Sequence, residues 1–279
     1  MVVLWKPNQF NLPAMKRIIF QALLLIALFF CTWFLLQQND WMKTFKVEET
    51  SNKLEQKLGD LFWDIIKKSK KENTNPFLVK SIDSMVSKIC KANQIDRSQI
   101  KVHVLESDDI NAFALPNGHL VINSGLIVAT QNQEALCGVI GHEIAHIELS
   151  HIMKKLIKEI GLSALITITT SGGDSEIIKE VLKKLTASAY DRTLEKEADL
   201  KAVEYLKNAD ISAEPFANFL YEIALRQGDE PKYLTWINTH PDTKERAAYI
   251  IEKSKEYRVI NKPVLTPPSW KKLKAILQE

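Results

Sequence analysis

Nothing in this chain restricts its fold more than the pentapeptide His142-Glu143-Ile144-Ala145-His146. In a helix, positions i and i+4 share a face, so both imidazoles can reach one metal ion. Glu143 sits beside the first of them, where it can take a proton from a water held at the metal. Leu136, Val139, Ile140, Ile144 and Ile147 are apolar around the motif and predict burial. Thr130 or Asn132 can cap the start of this helix, with Glu134 in its first turn. The chemistry such a site carries is zinc-dependent hydrolysis, above all of peptide bonds, with one Zn2+ per chain. Five residues can arise by chance, so the rest of the chain has to supply the context.

Two histidines leave a catalytic zinc incomplete, because it usually takes a third protein ligand and keeps one position for water. Glu195 and Asp199 lie four apart in a predicted helix and so share a face. Glu195 can be the third ligand, and Asp199 can hydrogen-bond the far nitrogen of a ligand histidine and fix its tautomer. A solvated acidic helix face has the same spacing. His151, five residues past His146, points away from the metal face of a continuous helix and reads as structural or surface.

Ile18 to Leu36 is an uncharged, strongly apolar run, long enough for a helix to cross a bilayer. Lys16 and Arg17 precede it, and Trp33 lies near its far end. The positive-inside rule then predicts a cytoplasmic N-terminus and an exported remainder, single-pass in the inner membrane with the folded part in the periplasm. A cleaved signal peptide, with secretion to the periplasm, is the alternative; no small-x-small site follows the run. The net charge of +3 is spread through mixed charges, with no basic stripe interleaved with aromatics, which speaks against nucleic acid as a partner. Cys90 and Cys137 read as small apolar residues, with a disulfide between them conceivable in an exported domain.

Residues 40–71 carry Leu54, Leu58, Leu61, Phe62, Ile65 and Ile66 at helical spacing, and Glu72 to Pro76 breaks the pattern. Phe77 to Asn93 reads as a second helix. Lys101–Leu105, Asn111–Leu115 and His119–Asn123 are strand-like, with a turn at Pro116-Asn117-Gly118, and together predict a small antiparallel meander. Gly161 to Thr170 is apolar, β-branched and too short to span a membrane; up to Ser175 it has the makings of a lid. Residues 177–208 and 215–227 read as helices.

Four ordered elements of this sequence resemble the membrane-associated gluzincin zinc metallopeptidases, the group of HtpX-, Oma- and BepA-type proteases and CAAX prenyl endopeptidases. They are Asn111 to Gly118 (NAFALPNG), Gly141 to His146 (GHEIAH), Arg192 to Asp199 (RTLEKEAD) and Thr239 to Arg246 (THPDTKER). Asp191 stands where that group has a serine before the third element. The resemblance covers about residues 77–250. It implies His142, His146 and Glu195 as zinc ligands, Glu143 as general base and then proton donor, and Asp199 in support of a ligand. It implies His240 as the group that stabilises the tetrahedral oxyanion; on its own, a histidine before Pro241 would be an ordinary loop residue. Asn111, Ala112, Phe113 and Ala114 would form an edge strand that pairs with extended substrate backbone.

The expected fold is α+β: a mainly helical zincin-like metalloprotease domain with a small antiparallel β-meander, plus one N-terminal transmembrane helix. The expected boundaries are a cytoplasmic leader at 1–17, an anchor at 18–36, an amphipathic linker helix at 37–75, the peptidase domain at 76–258 and a tail at 259–279. The expected partners are unfolded or misfolded proteins and, through the N-terminal helix, the membrane. A chaperone or assembly factor that holds chains on the same fold is the alternative from another functional class. A prenyl-protease substrate class is disfavoured, because those enzymes enclose a chamber with many membrane helices.

Overall fold

The computed structural model describes residues 17, 20–30, 47–170, 175–226 and 231–278. The chain divides into two units, Met1–Ser51 and Asn52–Glu279. In the first, residues 20–30 are helical and expose apolar side chains such as Phe20, Leu25 and Phe29. Among the described residues no helix is long and apolar enough to cross a membrane. The remainder of the expected 18–36 anchor lies outside the described residues.

The described elements run α1 (Val47–Ser69), α2 (Pro76–Ala92), a 3-10 turn (Arg97–Gln99), β1 (Lys101–Leu105), β2 (Ala112–Leu115), β3 (His119–Asn123), α3 (Ser124–Ala129), α4 (Gln133–Glu148), α5 (His151–Ile160), α6 (Leu162–Thr170), α7 (Ser175–Ala187), α8 (Arg192–Asn208), α9 (Glu214–Leu225), α10 (Pro231–Thr239), α11 (Thr243–Ser254) and α12 (Pro267–Ile276). Local chemistry sets several boundaries. Asn75 accepts from the amides of Phe77 and Leu78 and Pro76 opens α2, a position where its missing N–H costs nothing. The β2–β3 turn needs left-handed backbone at Asn117 and Gly118, and a Cβ on Gly118 would meet the Gln99 carbonyl at 1.8 Å.

The fold is α+β, but the sheet is mixed rather than an antiparallel meander. Its order is β1-β3-β2, with β1 parallel and β2 antiparallel to β3. β3 is buried along its whole length, so the most apolar run, Leu120-Val121-Ile122, takes the centre. β1 and β2 are then the two edges. Val104, Leu120 and Ile122 pack into a large core with α2, α4, α8, α9 and α11. Leu105, Leu115 and Val121 pack into a second core with Leu54, Leu58 and Phe62 of α1 and with α5, α6 and α7. Leu273 of α12 closes the large core. The apolar Gly161–Thr170 segment is helical as α6, with Leu165 and Ile168 buried in the second core. The expected helix at 177–208 is two helices, α7 and α8, separated at Ser188–Asp191. Cys90 and Cys137 are buried free thiols in the large core, not a disulfide.

α1 is fastened to the sheet by a stacked ladder. Trp63 lies over His103 with ring centroids 3.5 Å apart. His103 Nδ1 is 2.9 Å from Glu72 Oε1 and its Nε2 is 3.0 Å from His119 Nδ1. His119 Nε2 is 3.6 Å from Asp60 of α1, which Lys101 also approaches at 3.5 Å. Burial, then Lys101 and His103, pushes the His119 pKa down to about 4, and burial lowers that of His103. The unfolded chain therefore binds more protons than the folded one below about pH 6.5, and stability drains away as pH falls from there towards about 4. Several buried histidines contribute to the loss, so urea unfolding followed from pH 7 to pH 4.5 should show a loss about 2 kcal/mol smaller in His119→Gln than in wild type. Parallel profiles for wild type and variant would show that the ladder does not titrate on unfolding.

Candidate metal centre and active site

α4 carries His142, Glu143 and His146. Asn132 accepts from the Ala135 amide to start the helix, and Glu134 faces the positive end of its dipole. From Ala135 to His146 every residue is buried, as expected of a helix that is apolar or small almost all round. Gly138 makes one of these contacts feasible: a Cβ there would meet Phe216 of α9 at 2.2 Å. α8 packs against another side, where Ala202 lies opposite Gly141 and keeps the helices close. Glu195 and Asp199, one turn apart on α8, thereby reach the two histidines of α4.

Donor atoms of His142, His146, Glu195 and His240 lie within 4.8 Å of one another. His146 Nε2 is 3.0 Å from His142 Nε2 and 3.3 Å from Glu195 Oε1. His142 Nε2 is 3.7 Å from Glu195 Oε2. His240 Nδ1 is 3.3 Å from His142 Nε2 and 3.0 Å from Glu195 Oε1. Donors about 2.0 Å from a tetrahedral zinc stand about 3.3 Å from each other, so this spacing fits the ion. The protonation pattern fits too. His142 Nδ1 faces Asp199 Oδ1 at 2.9 Å, which puts its proton there and leaves Nε2 as a lone pair aimed at the other donors. Bare lone pairs converging in a dry interior call for a cation between them.

Burial dominates the electrostatics. It pushes His142, His146 and His240 down to about 4, so all three are neutral near pH 7, as metal binding requires. Burial alone would raise the acids of α8. Arg246 and the neighbouring histidines overcome it, bringing Asp199 to about 2 and holding Glu195 well below the usual carboxylate range. Arg246 donates through Nε and a terminal nitrogen to both oxygens of Asp199, at 2.7 and 2.8 Å, and its other terminal nitrogen is 2.5 Å from Glu195 Oε2. The Tyr249 hydroxyl also donates to Asp199. Glu143 is the reverse case: burial and the nearby Glu195 carboxylate hold its carboxyl well above the ordinary range. Among the described residues no side chain hydrogen-bonds either Glu143 oxygen; the Ala114 amide is the backbone group that faces the carboxyl, and Oε1 is 3.5 Å from His240 Nε2.

His240 is the C-terminal cap residue of α10, its amide donating to the Trp236 carbonyl and its ring stacked on the Trp236 indole. Asp242 then takes left-handed backbone and starts α11, whose first turn delivers Arg246. The loop is held by the Tyr190 amide on the Thr239 carbonyl and by an Arg192–Asp242 ion pair at 2.7 Å.

The structure thus brings His142, Glu143, His146, Glu195, Asp199 and His240 together, all almost fully buried. The strand residues sit beside them, since α4 packs on β2 and the Ala114 amide faces Glu143. Asn111 lies just outside β2 and pairs with Asn123 through a 3.0 Å backbone bond. That bond sets the ladder parity: Phe113 and Leu115 bond β3, and Ala112 and Ala114 turn their N–H and C=O groups to the free edge.

Three residues escaped the sequence reading. Arg246 was visible as the last residue of THPDTKER, but nothing in the spacing gave it a partner. Tyr190 stacks on His146 with centroids 4.1 Å apart. His151 is neither exposed nor turned away: it is fully buried, with Nδ1 3.0 Å from His146 Nδ1. The continuous-helix premise fails there, because α4 stops at Glu148 and left-handed Ser150 (φ 54°) swings His151 back to the site.

Residues 77–254 match the model of Peptidase family M48. Similar proteins include Metalloendopeptidase OMA1, mitochondrial, of Bos taurus, 32% identical over 163 residues, which are 53% of this chain and 31% of the relative. Metalloprotease YcaL of Escherichia coli (strain K12) is 28% identical over 60% of this chain and 68% of its own length. The Beta-barrel assembly-enhancing protease of Yersinia pestis is 24% identical over 67% of this chain and 41% of its own. The chain thus spans about a third of the bovine relative and about two thirds of YcaL. The family match takes in well over half of the sequence, and every residue that converges on the metal position falls inside it: this chain belongs to peptidase family M48.

Proposed function

We propose that this chain is a membrane-anchored zinc endopeptidase that cuts unfolded or misfolded proteins at the cell envelope. The observation that carries the peptidase reading is Glu143. A fully buried carboxyl with no side-chain partner among the described residues, faced by one backbone amide, is costly to keep. A general base beside a metal needs such a group. The same observation speaks against a chain-holding chaperone, which would have no use for an intact base.

In this reading His142, His146 and Glu195 hold one Zn2+, with Asp199 and Arg246 fixing His142 and Glu195 in place. Zinc, when bound, acidifies a water and polarises the scissile carbonyl. Glu143 accepts the proton of the attacking water and later passes it to the leaving amine. Substrate backbone adds to the free edge of β2 through Ala112 and Ala114, which is tolerant of side-chain sequence and suits misfolded chains. His240 donates to the tetrahedral oxyanion. Its Nδ1 lies 3.3 Å from His142 Nε2 and 3.0 Å from Glu195 Oε1, so in this role the ring would turn from the donor cluster towards the reacting oxygen. The anchor is supported by the uncharged run at 18–36 and by the exposed apolar side chains of helical residues 20–30. The N-terminal charge bias supports a cytoplasmic N-terminus with the peptidase domain in the periplasm.

Three measurements on the purified full chain check these roles. Glu143→Gln should keep zinc by atomic absorption and lose cleavage of an unfolded protein by about 10²- to 10⁴-fold; wild-type turnover in the variant would remove Glu143 as the base. Glu195→Gln should weaken zinc binding at least tenfold, and unchanged occupancy would move the third ligand elsewhere. His240→Phe should lower kcat more than it raises KM. A raised KM at constant kcat would make His240 a substrate-binding residue, and a raised kcat would make it an inhibitory fourth donor.

A further inference from the structure

We infer that His151 is a positioning residue for His146, the middle of a carboxylate–imidazole–imidazole chain running from Glu197 to the metal position. The inference rests on the zinc reading of the site and deepens it. His151 starts α5 and is fully buried. Its Nε2 is 3.2 Å from Glu197 Oε2, and its Nδ1 is 3.0 Å from His146 Nδ1.

A neutral imidazole has one N–H and one lone pair, so the chain has a single consistent assignment. A carboxylate only accepts, which places the His151 proton on Nε2. His151 Nδ1 is then a lone pair and accepts from His146 Nδ1–H. That leaves His146 Nε2 without a proton, facing His142 Nε2 and Glu195 Oε1. Removing His151 would leave the His146 N–H buried without a partner, or let the proton move to Nε2, where the metal belongs.

The rest of the pocket constrains the same ring differently. Tyr190 lies flat on His146, with an interplanar angle of 27°. The Lys155 ammonium sits 4.1 Å from the Tyr190 ring and donates to the carbonyls of Leu185 and Ser188, at 2.9 and 2.5 Å. This stack fixes the plane of the His146 ring, and among the described residues His151 is the group that faces its Nδ1 and so sets the tautomer within that plane. The two metal histidines are thus oriented by unlike means. His142 leans on the wholly buried Asp199, and His146 on a neutral ring whose carboxylate, Glu197, is 50% exposed. The His146 side is the one that surface chemistry at Glu197 can reach.

Zinc affinity of the purified full chain, measured by competition with a chromophoric chelator, tests the chain of bonds. His151→Leu removes the acceptor and should weaken zinc by about 10- to 100-fold. His151→Asn places an amide oxygen near the position of Nδ1 and should restore most of that loss, which a packing role alone would not predict. The Co2+-substituted His151→Leu protein should show shifted visible bands, and the His151→Asn protein bands near those of wild type. Circular dichroism of the metal-free variants separates misfolding from weak binding. Should His151→Leu fail to fold, His151→Asn against His151→Gln serves instead, because Gln places its polar group near Nε2 and not Nδ1. Wild-type affinity in His151→Leu, or equal losses in the Asn and Gln variants, would overturn the positioning role while leaving the peptidase reading intact. A wild-type chain that binds no zinc would overturn both.

Discussion

One guanidinium decides whether two carboxylates can stay charged in a dry interior. Glu195 and Asp199 lie one turn apart on α8, both buried, and burial alone would protonate them. Arg246 lies across the pair, forked onto Asp199 and reaching Glu195. Breaking such a cluster leaves an uncompensated buried charge, at a cost of about 3–5 kcal/mol. His142, Glu195 and the His240 connection take their geometry from this arrangement. Charged Asp199 sets the tautomer of His142, and charged Glu195 attracts a cation to the space that the histidines border. Because Arg246 comes from the first turn of α11, the same ion cluster also ties the α10–α11 connection, and so His240, to α8.

The cluster also explains why four elements far apart in sequence act as one unit. α4 supplies two histidines and Glu143, α8 two acids, α5 His151, and the α10–α11 loop a histidine and an arginine. Small residues at the contacts, Gly138 against Phe216 and Gly141 against Ala202, bring the helices close enough for short side chains to meet. The sheet holds the opposite wall. With β3 buried at its centre, β2 is left as an edge, and the parity set by Asn111 and Asn123 turns the amide and carbonyl of Ala114 outward beside Glu143.

Much of this was legible in the residues. The spacing of His142, His146, Glu195 and Asp199 specifies faces of helices, and helical faces follow from a 3.6-residue period whatever the partner. The Asn132 cap and the Pro116-Asn117-Gly118 turn are local chemistry and came out as read. What was not legible depends on pairing over distance. The β2–β3 turn fixes one antiparallel pair, but nothing in Lys101–Leu105 says which neighbour it joins, and the parallel pairing with β3 follows from where the most buried strand must lie. His151 was misjudged because one left-handed residue, Ser150, invalidates the periodicity on which the judgement stood. The partners of Arg246 were out of reach for the same reason, since they sit 47 and 51 positions earlier on another helix.

The site combines parts of very different rigidity. His142, His146 and Glu195 are carried on two long helices that share the large core, and moving any of them would disturb close packing. His240 is carried on a connection held by the Tyr190–Thr239 backbone hydrogen bond, the Arg192–Asp242 ion pair, the Trp236 stack and the 3.0 Å contact of its own ring with Glu195, with Arg246 anchoring the start of α11 just beyond it. Exposed ion pairs and single hydrogen bonds are each worth about 1 kcal/mol or less. If a peptide is to enter a cluster that is now almost sealed from solvent, a swing of the His240 ring that leaves Arg246 in place disturbs less packing than a shift of the helices. Such a division suits a metallopeptidase in which the donors on the helices stay in register while the neighbouring loop histidine turns.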